Sequence, residues 1–388
     1  MASSTSESPA GRGRLPRAEA VVDLDAITSN VASLRAHVDG RDVMAVVKAD
    51  GYGHGIVESA RAARRGGAAW LGVALLDEAL TLRASGDTGP VLCWLAVPGE
   101  RYDDAIRAEI EVSASSVEQL EEIASGARRT GVRAAVQLKL DSGLGRGGAT
   151  PTDRPRLVDA AVDLQSANLI EVTGVWSHLA CSDEPAHPSV TSQTAQYDAG
   201  VREARAGGLE PRHLHLANSG GVLNLPSTWF TMVRPGIAIY GVSPMADGSS
   251  SVELAAAMTL RASVALVKRV PAGHGVSYGH TYVTGHDTAL ALVPLGYGDG
   301  VPRQASGRGP VLLGSERFTA AGRVCMDQFV VDIGDAAVRP GDPVVIFGDG
   351  AHGGPTAHDW AVAADTIGYE IVTRIGARVP RRYVGGGG

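Results

Sequence analysis

Short apolar runs alternate with helical segments between residues 43 and 234, and this alternation restricts the possible folds more than any other feature of the chain. We predict eight strands, at residues 43–47, 69–73, 91–95, 110–113, 134–140, 170–176, 213–217 and 231–234. Helices are predicted between them, for example at residues 55–65, 76–84, 116–128, 155–164 and 190–206. Such alternation forms a parallel sheet, and eight units close into an α/β fold, the (β/α)8 TIM-type barrel.

The pattern changes after a polar break at residues 247–251. Short strands are then predicted at residues 257–266, 288–293, 310–313, 318–324, 328–333 and 343–347, with one helix at 356–374. Short strands separated by turn signals indicate a β domain. We therefore expect a disordered segment at residues 1–18, a barrel at 19–250 and a C-terminal, mostly β domain at 251–384.

The 388 residues carry a net charge of −7 at pH 7, which argues against nucleic acid as the main partner. No apolar run approaches the ~20 residues of a transmembrane helix, and residues 1–18 have no apolar core of a signal peptide. Three widely spaced cysteines fit a reducing compartment and lack the spacing of a zinc site. We expect a cytoplasmic protein without a metal site or a membrane partner.

Residues with functional side chains or accessible backbone groups follow the predicted barrel strands, at the edge where this fold places its active sites. They are Lys48 after the first strand, Lys139, Asp141 and Arg146 around the end of the fifth, His178 after the sixth, Asn218 and Ser219 after the seventh, and Arg234 and Gly236 after the eighth.

Lys48 ends a strand that is predicted to be buried, and glycines 51, 53 and 55 follow it. Burial disfavours a charged amine, lowers its pKa and frees it to attack a carbonyl. The small-residue loops after the seventh and eighth strands have backbone N–H groups that can bind a phosphate. A reactive lysine, a phosphate site and a charged partner for a pyridine nitrogen are what pyridoxal phosphate (PLP) requires of a protein.

Each of these residues also has an ordinary structural interpretation. Lys48 can extend its amine into water, Arg234 can form a loop ion pair, and histidines at strand ends can be buried core residues. Under the same interpretation, Tyr278 is a surface aromatic, Lys139 pairs with Asp141 and Cys325 is buried packing. Only their joint occurrence favours a functional site.

Nine motifs, in order within residues 43–371, resemble those of the alanine racemase family. They are AVVKADGYGHG, LKLDSGLGRGG, WSHLACSDE, HLANS, VRPGIAIYG, SYGHTY, PLGYGDG, GRVCMDQ and IGYEI. The resemblance implies a PLP-binding barrel, a C-terminal β domain and a homodimer with shared active sites. It implies racemisation of alanine, which would supply D-alanine for peptidoglycan.

The resemblance also implies a role for each matching residue. Lys48 would bind PLP covalently and act as the base on one face of the substrate, and Tyr278 of the other subunit would be the base on the opposite face. The phosphate would be bound by Tyr52, Ser219, Gly236, Ile237 and Tyr369, with Asn218 beside them. Arg234, supported by His215, would contact the pyridine nitrogen, and His178 would stack near the ring.

The remaining implied roles concern the substrate. Arg146, with Met326 of the other subunit, would position its carboxylate, and Lys139 would be carbamylated. An entry corridor would be formed by Asp183, Tyr297, Arg303, Arg323 and Ile367.

The physical logic of these implied roles is consistent. Arginine keeps its proton, so Arg234 can donate to the pyridine nitrogen without protonating it, and a neutral ring withdraws electrons less strongly. Two bases on opposite faces allow racemisation without rotation of the intermediate. One departure from the family is local: Asp50 and Gly51 replace a common Asn–Ala pair, and Gly51 is expected to loosen the loop of Tyr52.

Three other functions share parts of this layout. A PLP-dependent decarboxylase resembles it but places an acidic residue at the pyridine nitrogen, so Arg234 argues against that activity. A non-catalytic PLP carrier resembles the barrel alone and leaves residues 250–388 unexplained. A broad-specificity racemase usually implies export and a disulfide, and the sequence indicates neither.

Overall fold

The computed structural model describes residues 16–387, and these divide into two compact units. The larger unit comprises residues 21–258, 366–375 and 381–387, and the smaller one comprises residues 16–20, 259–365 and 376–380. Of the segment that was expected to be disordered, residues 1–15 lie outside the described part. Arg17 and Ala18 are ordered, contrary to that expectation: Ala18 begins a strand, and Arg17 donates hydrogen bonds to the Pro294 and Arg378 carbonyls.

The larger unit contains the predicted (β/α)8 barrel. Its eight strands are β2 Asp42–Val46, β3 Trp70–Val73, β4 Val91–Cys93, β5 Glu111–Ala114, β6 Ala134–Lys139, β7 Ile170–Trp176, β8 His213–His215 and β9 Met232–Val233, after a separate strand β1 Ala18–Asp23. They pair in parallel in the order β8-β7-β6-β5-β4-β3-β2-β9. The ring closes between β8 and β9, where the Thr231 N–H donates to the Leu214 carbonyl and the Thr231 hydroxyl oxygen accepts from the Leu214 N–H.

Packing and caps explain why these segments fold as they do. Met44, Trp70, Leu92 and Met232 form one apolar cluster on neighbouring barrel strands. The helices around the barrel are Leu24–His37, Ile56–Arg65, Leu76–Ala84, Tyr102–Arg107, Val117–Thr130, Arg154–Ser166, Pro188–Ala206 and Ser219–Asn224. Side-chain caps define several of their starts, such as Asp23, which accepts from the Asp25 and Ala26 N–H groups.

The smaller unit is mostly β, as predicted. Its strands are β10 Met258–Ser263, β11 Leu266–Val270, β12 Gly275–Val276, β13 Tyr282–Val283, β14 Thr288–Val293, β15 Pro310–Leu313, β16 Glu316–Ala321, β17 Phe329–Gly334 and β18 Pro343–Phe347. Antiparallel pairing joins them in the order β11-β14-β17-β16-β15-β18-β10, and β12 pairs with β13 separately. Val270, Val276, Leu290 and Ala321 form an apolar cluster between these strands.

Two predictions in this region were wrong. The strand predicted at residues 257–266 is two strands, because the chain changes partners after Ser263: the Val264 N–H bonds to Asp342 and the Ala265 N–H bonds to Leu292. The single helix predicted at residues 356–374 is two helices, Ala357–Ala364 and Gly368–Thr373, because Asp365 has a φ of 55° and ends the first helix.

Three short strands were not predicted: β12, β13 and β19 Arg381–Val384. Each is short or half-exposed, so the apolar alternation that marks longer strands is absent. Among the described residues, no helix combines the length and apolar character that crossing a bilayer demands.

Candidate active site

Lys48 follows β2, immediately before a turn in the left-handed backbone conformation that L-amino acids rarely adopt. Residues 49–53 all have positive φ, from 53° to 81°. Left-handed conformation costs about 1–2 kcal/mol per non-glycine residue, so this turn is strained unless neighbouring groups hold it. Lys48 lies just before this turn, and Tyr52, four positions later in the sequence, lies within it, at one edge of the barrel.

A single carboxylate holds the start of this turn. The Ala49 N–H donates to Glu78 at 2.6 Å, and the same side chain accepts from the Ala74 and Leu75 N–H groups at 3.0 Å each. Gly51 packs closely inside the turn, because an added Cβ would lie 2.6 Å from the Ser59 hydroxyl oxygen. The expectation that Gly51 loosens the loop of Tyr52 therefore finds no support in the packing.

The Lys48 amine lies among other cations. Its Nζ is 5.9 Å from the centre of the Trp94 ring. Burial lowers the pKa of Lys48, as do the charges of Arg146 and Arg234, while the charge of Glu78 raises it. A larger neutral fraction makes this amine a better nucleophile near neutral pH.

Lys139 is a second lysine with a perturbed amine. Burial, followed by the charges of Arg146 and Arg234, lowers the pKa of Lys139 to about 8. Its Nζ lies 4.6 Å from the centre of the Trp176 ring. Among the described residues it forms no ion pair with Asp141, whose Oδ1 instead accepts from the Gly143 and Gly145 N–H groups and shapes the loop that carries Arg146.

Arg234 is buried, with 4% of its surface exposed, and has no carboxylate partner among residues 16–387. The interpretation as a loop ion pair was therefore wrong. Its Nη1 donates to His215 Nδ1 at 2.9 Å, and its Nη2 donates to the Ser177 carbonyl at 2.6 Å. Burial lowers the pKa of Arg234 to about 10.

The two predicted histidines both lie beside Arg234. His215 is fully buried, stacks parallel to Trp176 and is hydrogen-bonded through Nε2 to Gln137 at 2.6 Å. His178 is 3.4 Å from Arg234 through Nδ1 and 3.5 Å from Asn218 through Nε2. Burial and the charge of Arg234 lower the pKa of both histidines, so both are neutral at pH 7.

The predicted phosphate residues form a second cluster. The Ser219 hydroxyl oxygen accepts from the Gly236 N–H at 2.9 Å and from the Ala238 N–H at 3.3 Å. The absence of a side chain at Gly236 makes room for Tyr52, since an added Cβ would lie 2.3 Å from its hydroxyl oxygen. Ile237 is buried beside them and starts a short 3-10 helix.

Tyr369 completes this cluster, with its ring centre 6.3 Å from that of Tyr52. Burial raises the pKa of both tyrosines, and the charge of Asp183 raises that of Tyr369 further. Both therefore present neutral hydroxyl groups, which can donate to a phosphate oxygen.

Several of the predicted residues lie in the smaller unit. Tyr278 and Met326 line one surface depression and are 71% and 53% exposed. Ser277 and His280, on either side of Tyr278, have positive φ, and the Ser277 hydroxyl donates to the Arg323 carbonyl. This turn holds the Tyr278 ring out from the surface.

Two other corridor residues of this unit differ in their surroundings. The Tyr297 loop bonds to the Met326 loop through the Gly298 N–H and the Met326 carbonyl, at 2.8 Å. Arg303 lies on a separate 3-10 turn, Arg303–Ala305. Ile367, in the larger unit, is 60% exposed.

Several residues of the site were not predicted from the sequence. Trp94 and Trp176 lie at the ends of β4 and β7, so their position at the carboxyl edge of the barrel was a usable signal. Glu78 and Gln137 gave no such signal, because their roles depend on partners that are distant in the sequence. Glu78 contacts Ala49, 29 positions away, and Gln137 contacts His215, 78 positions away.

The larger unit fits the requirements of PLP. Arg234 has an Nε–H group with no acceptor among the described residues, which suits an unprotonated pyridine nitrogen. The cradle at Gly236, which a Cβ would fill, suits a phosphate beside Tyr52. Lys48 supplies an amine with a lowered pKa. These are the binding groups that the cofactor needs.

Comparison with known proteins agrees with this geometry. Two family models match: "Alanine racemase, N-terminal domain" at residues 22–244 and "Alanine racemase, C-terminal domain" at residues 257–383. An alanine racemase of Frankia casuarinae is 54% identical over 379 residues, which are 97% of this chain and 98% of that protein.

Solved structures show the same likeness. The crystal structure of alanine racemase from the D-cycloserine-producing Streptomyces lavendulae matches with a TM-score of 0.94 and 53% identity, over 98% of each chain. The alanine racemase of Streptomyces coelicolor matches with a TM-score of 0.93 and 52% identity, over 95% of this chain and 98% of that one.

Proposed function

Because this chain belongs to the alanine racemase family, we propose that it interconverts L- and D-alanine with PLP bound covalently at Lys48. The observation that carries the proposal is the group of cations around an amine with a lowered pKa, next to a phosphate cradle. When bound, PLP supplies an electron-withdrawing ring that acidifies the α-carbon of an attached amino acid.

Arg234 is the residue that would hold the cofactor ring nitrogen. Its guanidinium would donate a hydrogen bond there, and because arginine keeps its own proton, the ring nitrogen would stay unprotonated. The absence of a nearby carboxylate among the described residues favours this state over the acidic partner of a decarboxylase. The phosphate would be held by Tyr52, Ser219, Gly236, Ile237 and Tyr369.

Two bases exchange the proton of the substrate. The Lys48 amine, which would be free once the substrate amine has taken its place on the cofactor, would accept the proton on one face of the α-carbon, and the hydroxyl of Tyr278 from a second chain would serve the opposite face. Exposure of Tyr278 on a constrained turn supports its use by a partner chain. We further propose a homodimer in which each site uses Lys48 of one chain and Tyr278 and Met326 of the other.

Arg146 positions the substrate carboxylate, and Lys139 supports Arg146. A pKa of about 8 leaves part of the Lys139 amine neutral at pH 7–8, and only a neutral amine reacts with carbon dioxide to form a carbamate. A carbamate replaces a cation by an anion next to Arg146. Cytoplasmic D-alanine made in this way would serve peptidoglycan synthesis.

Incubation of the PLP-loaded protein with L-alanine, followed by chiral chromatography, tests the proposed function. We expect conversion until the two enantiomers are equal, from either starting enantiomer. Lys48→Ala should abolish conversion in both directions. Release of carbon dioxide, or absence of D-alanine from a sample with PLP bound, would reject the proposal.

A further inference from the structure

Four side chains form a continuous line of hydrogen bonds behind the proposed cofactor site. Arg234 Nη1 meets His215 Nδ1 at 2.9 Å, and His215 Nε2 meets Gln137 Oε1 at 2.6 Å. Gln137 Nε2 then meets Glu111 Oε2 at 2.8 Å. Gln137 and His215 are both fully buried, so no solvent can replace a missing partner.

The two ends of the line fix its direction. An arginine can only donate, and an ionised carboxylate can only accept. Gln137 and neutral His215 lie between these ends, and each has one donor and one acceptor facing its neighbours. All three bonds are satisfied in one arrangement alone, in which Gln137 donates to Glu111, His215 Nε2–H donates to Gln137, and His215 Nδ1 accepts from Arg234.

Thr173 strengthens the acceptor end. Its hydroxyl donates to the same Glu111 oxygen at 2.6 Å, so Oε2 receives two hydrogen bonds. Burial raises the pKa of Glu111, whereas the bonds from Thr173 and Gln137 oppose that rise. Even with a proton on Oε1, the Oε2 atom would still accept from Gln137, so the direction of the line is unchanged.

We propose that Glu111 and Gln137 are positioning residues that set the Nε2–H tautomer of His215 and thereby the orientation of the Arg234 guanidinium. If the Gln137 amide were reversed, its N–H would face His215 Nε2 and the imidazole proton would move to Nδ1. That proton would then point at an arginine donor, and the guanidinium would have to turn away. The Nε–H that the site offers to a ring nitrogen would turn with it.

This inference rests on the proposed function only for the ligand of Arg234. The tautomer itself is a property of the protein and can be measured without turnover. Glu111→Leu removes the acceptor, and Glu111→Gln keeps a carbonyl that can accept. Glu171→Leu is a matched control, because Glu171 is a barrel-strand carboxylate that pairs with Arg133 and Arg212 outside the line.

The experiment uses long-range proton–nitrogen correlation spectra of PLP-loaded protein labelled with 15N-histidine. The His215 signal is assigned by its loss in His215→Gln. We expect wild type, Glu111→Gln and Glu171→Leu to show a protonated Nε2 and an unprotonated Nδ1. Glu111→Leu should show Nδ1 protonation or a mixture, with kcat about tenfold lower and the KM for alanine nearly unchanged.

Gln137→Leu, which removes the acceptor next to His215, is the second variant in case Glu111→Leu does not fold. If the variant that folds, Glu111→Leu or Gln137→Leu, keeps the pure Nε2–H tautomer, the inference is overturned. Failure of the wild-type protein to racemise alanine would reject the proposed function but leave the tautomer measurement valid.

Discussion

Lysine is rare in this chain, and two of its three lysines lie in the candidate site. Lys48 and Lys139 have lowered pKa values for the same reasons, burial first and then nearby arginines, whereas Lys268 is exposed on β11. The residue types at the barrel edge were readable from sequence because strand ends mark the active-site face. Their protonation states were not, because they depend on desolvation by residues that are distant in sequence.

Carbamylation of Lys139 should depend on pH in a defined direction. As the pH falls from 9 to 6 it passes through the lowered pKa of about 8, the amine becomes protonated and the carbamate should disappear. The measurement is 13C NMR of protein in 13C-bicarbonate. Lys139→Ala should lose the carbonyl signal, and Lys268→Ala should keep it; a signal that persists unchanged at pH 6 would contradict this account.

Lys48→Ala should reduce racemisation by at least about a thousandfold, because it removes both the cofactor attachment and one base. Borohydride treatment of the PLP-loaded wild type, followed by peptide mass mapping, should place the cofactor on Lys48. Lys268→Ala serves as the control and should retain activity. Attachment at Lys139 instead would refute the assignment.

At the scale of elements, two local structures shape the site: the left-handed turn at residues 49–53 and the cradle between Tyr52 and Gly236. Both segments were predicted from the sequence as parts of the site, but their geometry was not. Three glycines indicated an unusual turn, whereas positive φ at Ala49 and Asp50 is sustained by the carboxylate of Glu78 on the helix Leu76–Ala84. The same limit explains the helix that was predicted without its break at Asp365.

Glu78→Gln should weaken the turn by about 1–3 kcal/mol, since an amide N–H would then face backbone N–H groups that have lost an acceptor. It should also lower the pKa of Lys48 further, because the negative charge of Glu78, which raises that pKa, is removed. Titration of the 13C-lysine-labelled apo-protein by NMR measures this shift. Asp77→Asn, on the exposed face of the same helix, should change neither quantity, and an unchanged Lys48 titration in Glu78→Gln would disprove the role.

Gly236→Ala should weaken PLP binding by about 1–3 kcal/mol, roughly 5-fold to 160-fold in Kd, because its Cβ would collide with the Tyr52 hydroxyl. Gly236 has a negative φ of −109°, so the substitution adds no left-handed strain, and the contact that it adds is the collision with the Tyr52 hydroxyl. PLP titration followed by absorbance gives the affinity. Gly285→Ala, where the added Cβ meets nothing within 4 Å, is the control; equal affinity in both variants would argue against the cradle.

At the scale of the whole molecule, the sequence predicted the barrel and the β-rich second unit because periodic patterns persist over many residues. The membership of the units was harder to predict, since residues 366–375 and 381–387 return to the larger one. Residues 366–375 bring Tyr369 close to Tyr52, with 6.3 Å between the ring centres, at the proposed phosphate site. Tyr278 and Met326, both exposed on the smaller unit, are the residues that the proposed homodimer would use in the site of a partner chain.

Mixing inactive Lys48→Ala and Tyr278→Phe chains tests most directly whether one active site is built from two chains. If each site takes Lys48 from one chain and Tyr278 from the other, a mixed dimer has one intact site. After subunit exchange at equal concentrations, about half of the dimers are mixed, so we predict recovery of about a quarter of wild-type racemisation. No recovery above the sum of the separate variants, in samples shown by mass spectrometry to contain mixed dimers, would contradict the account.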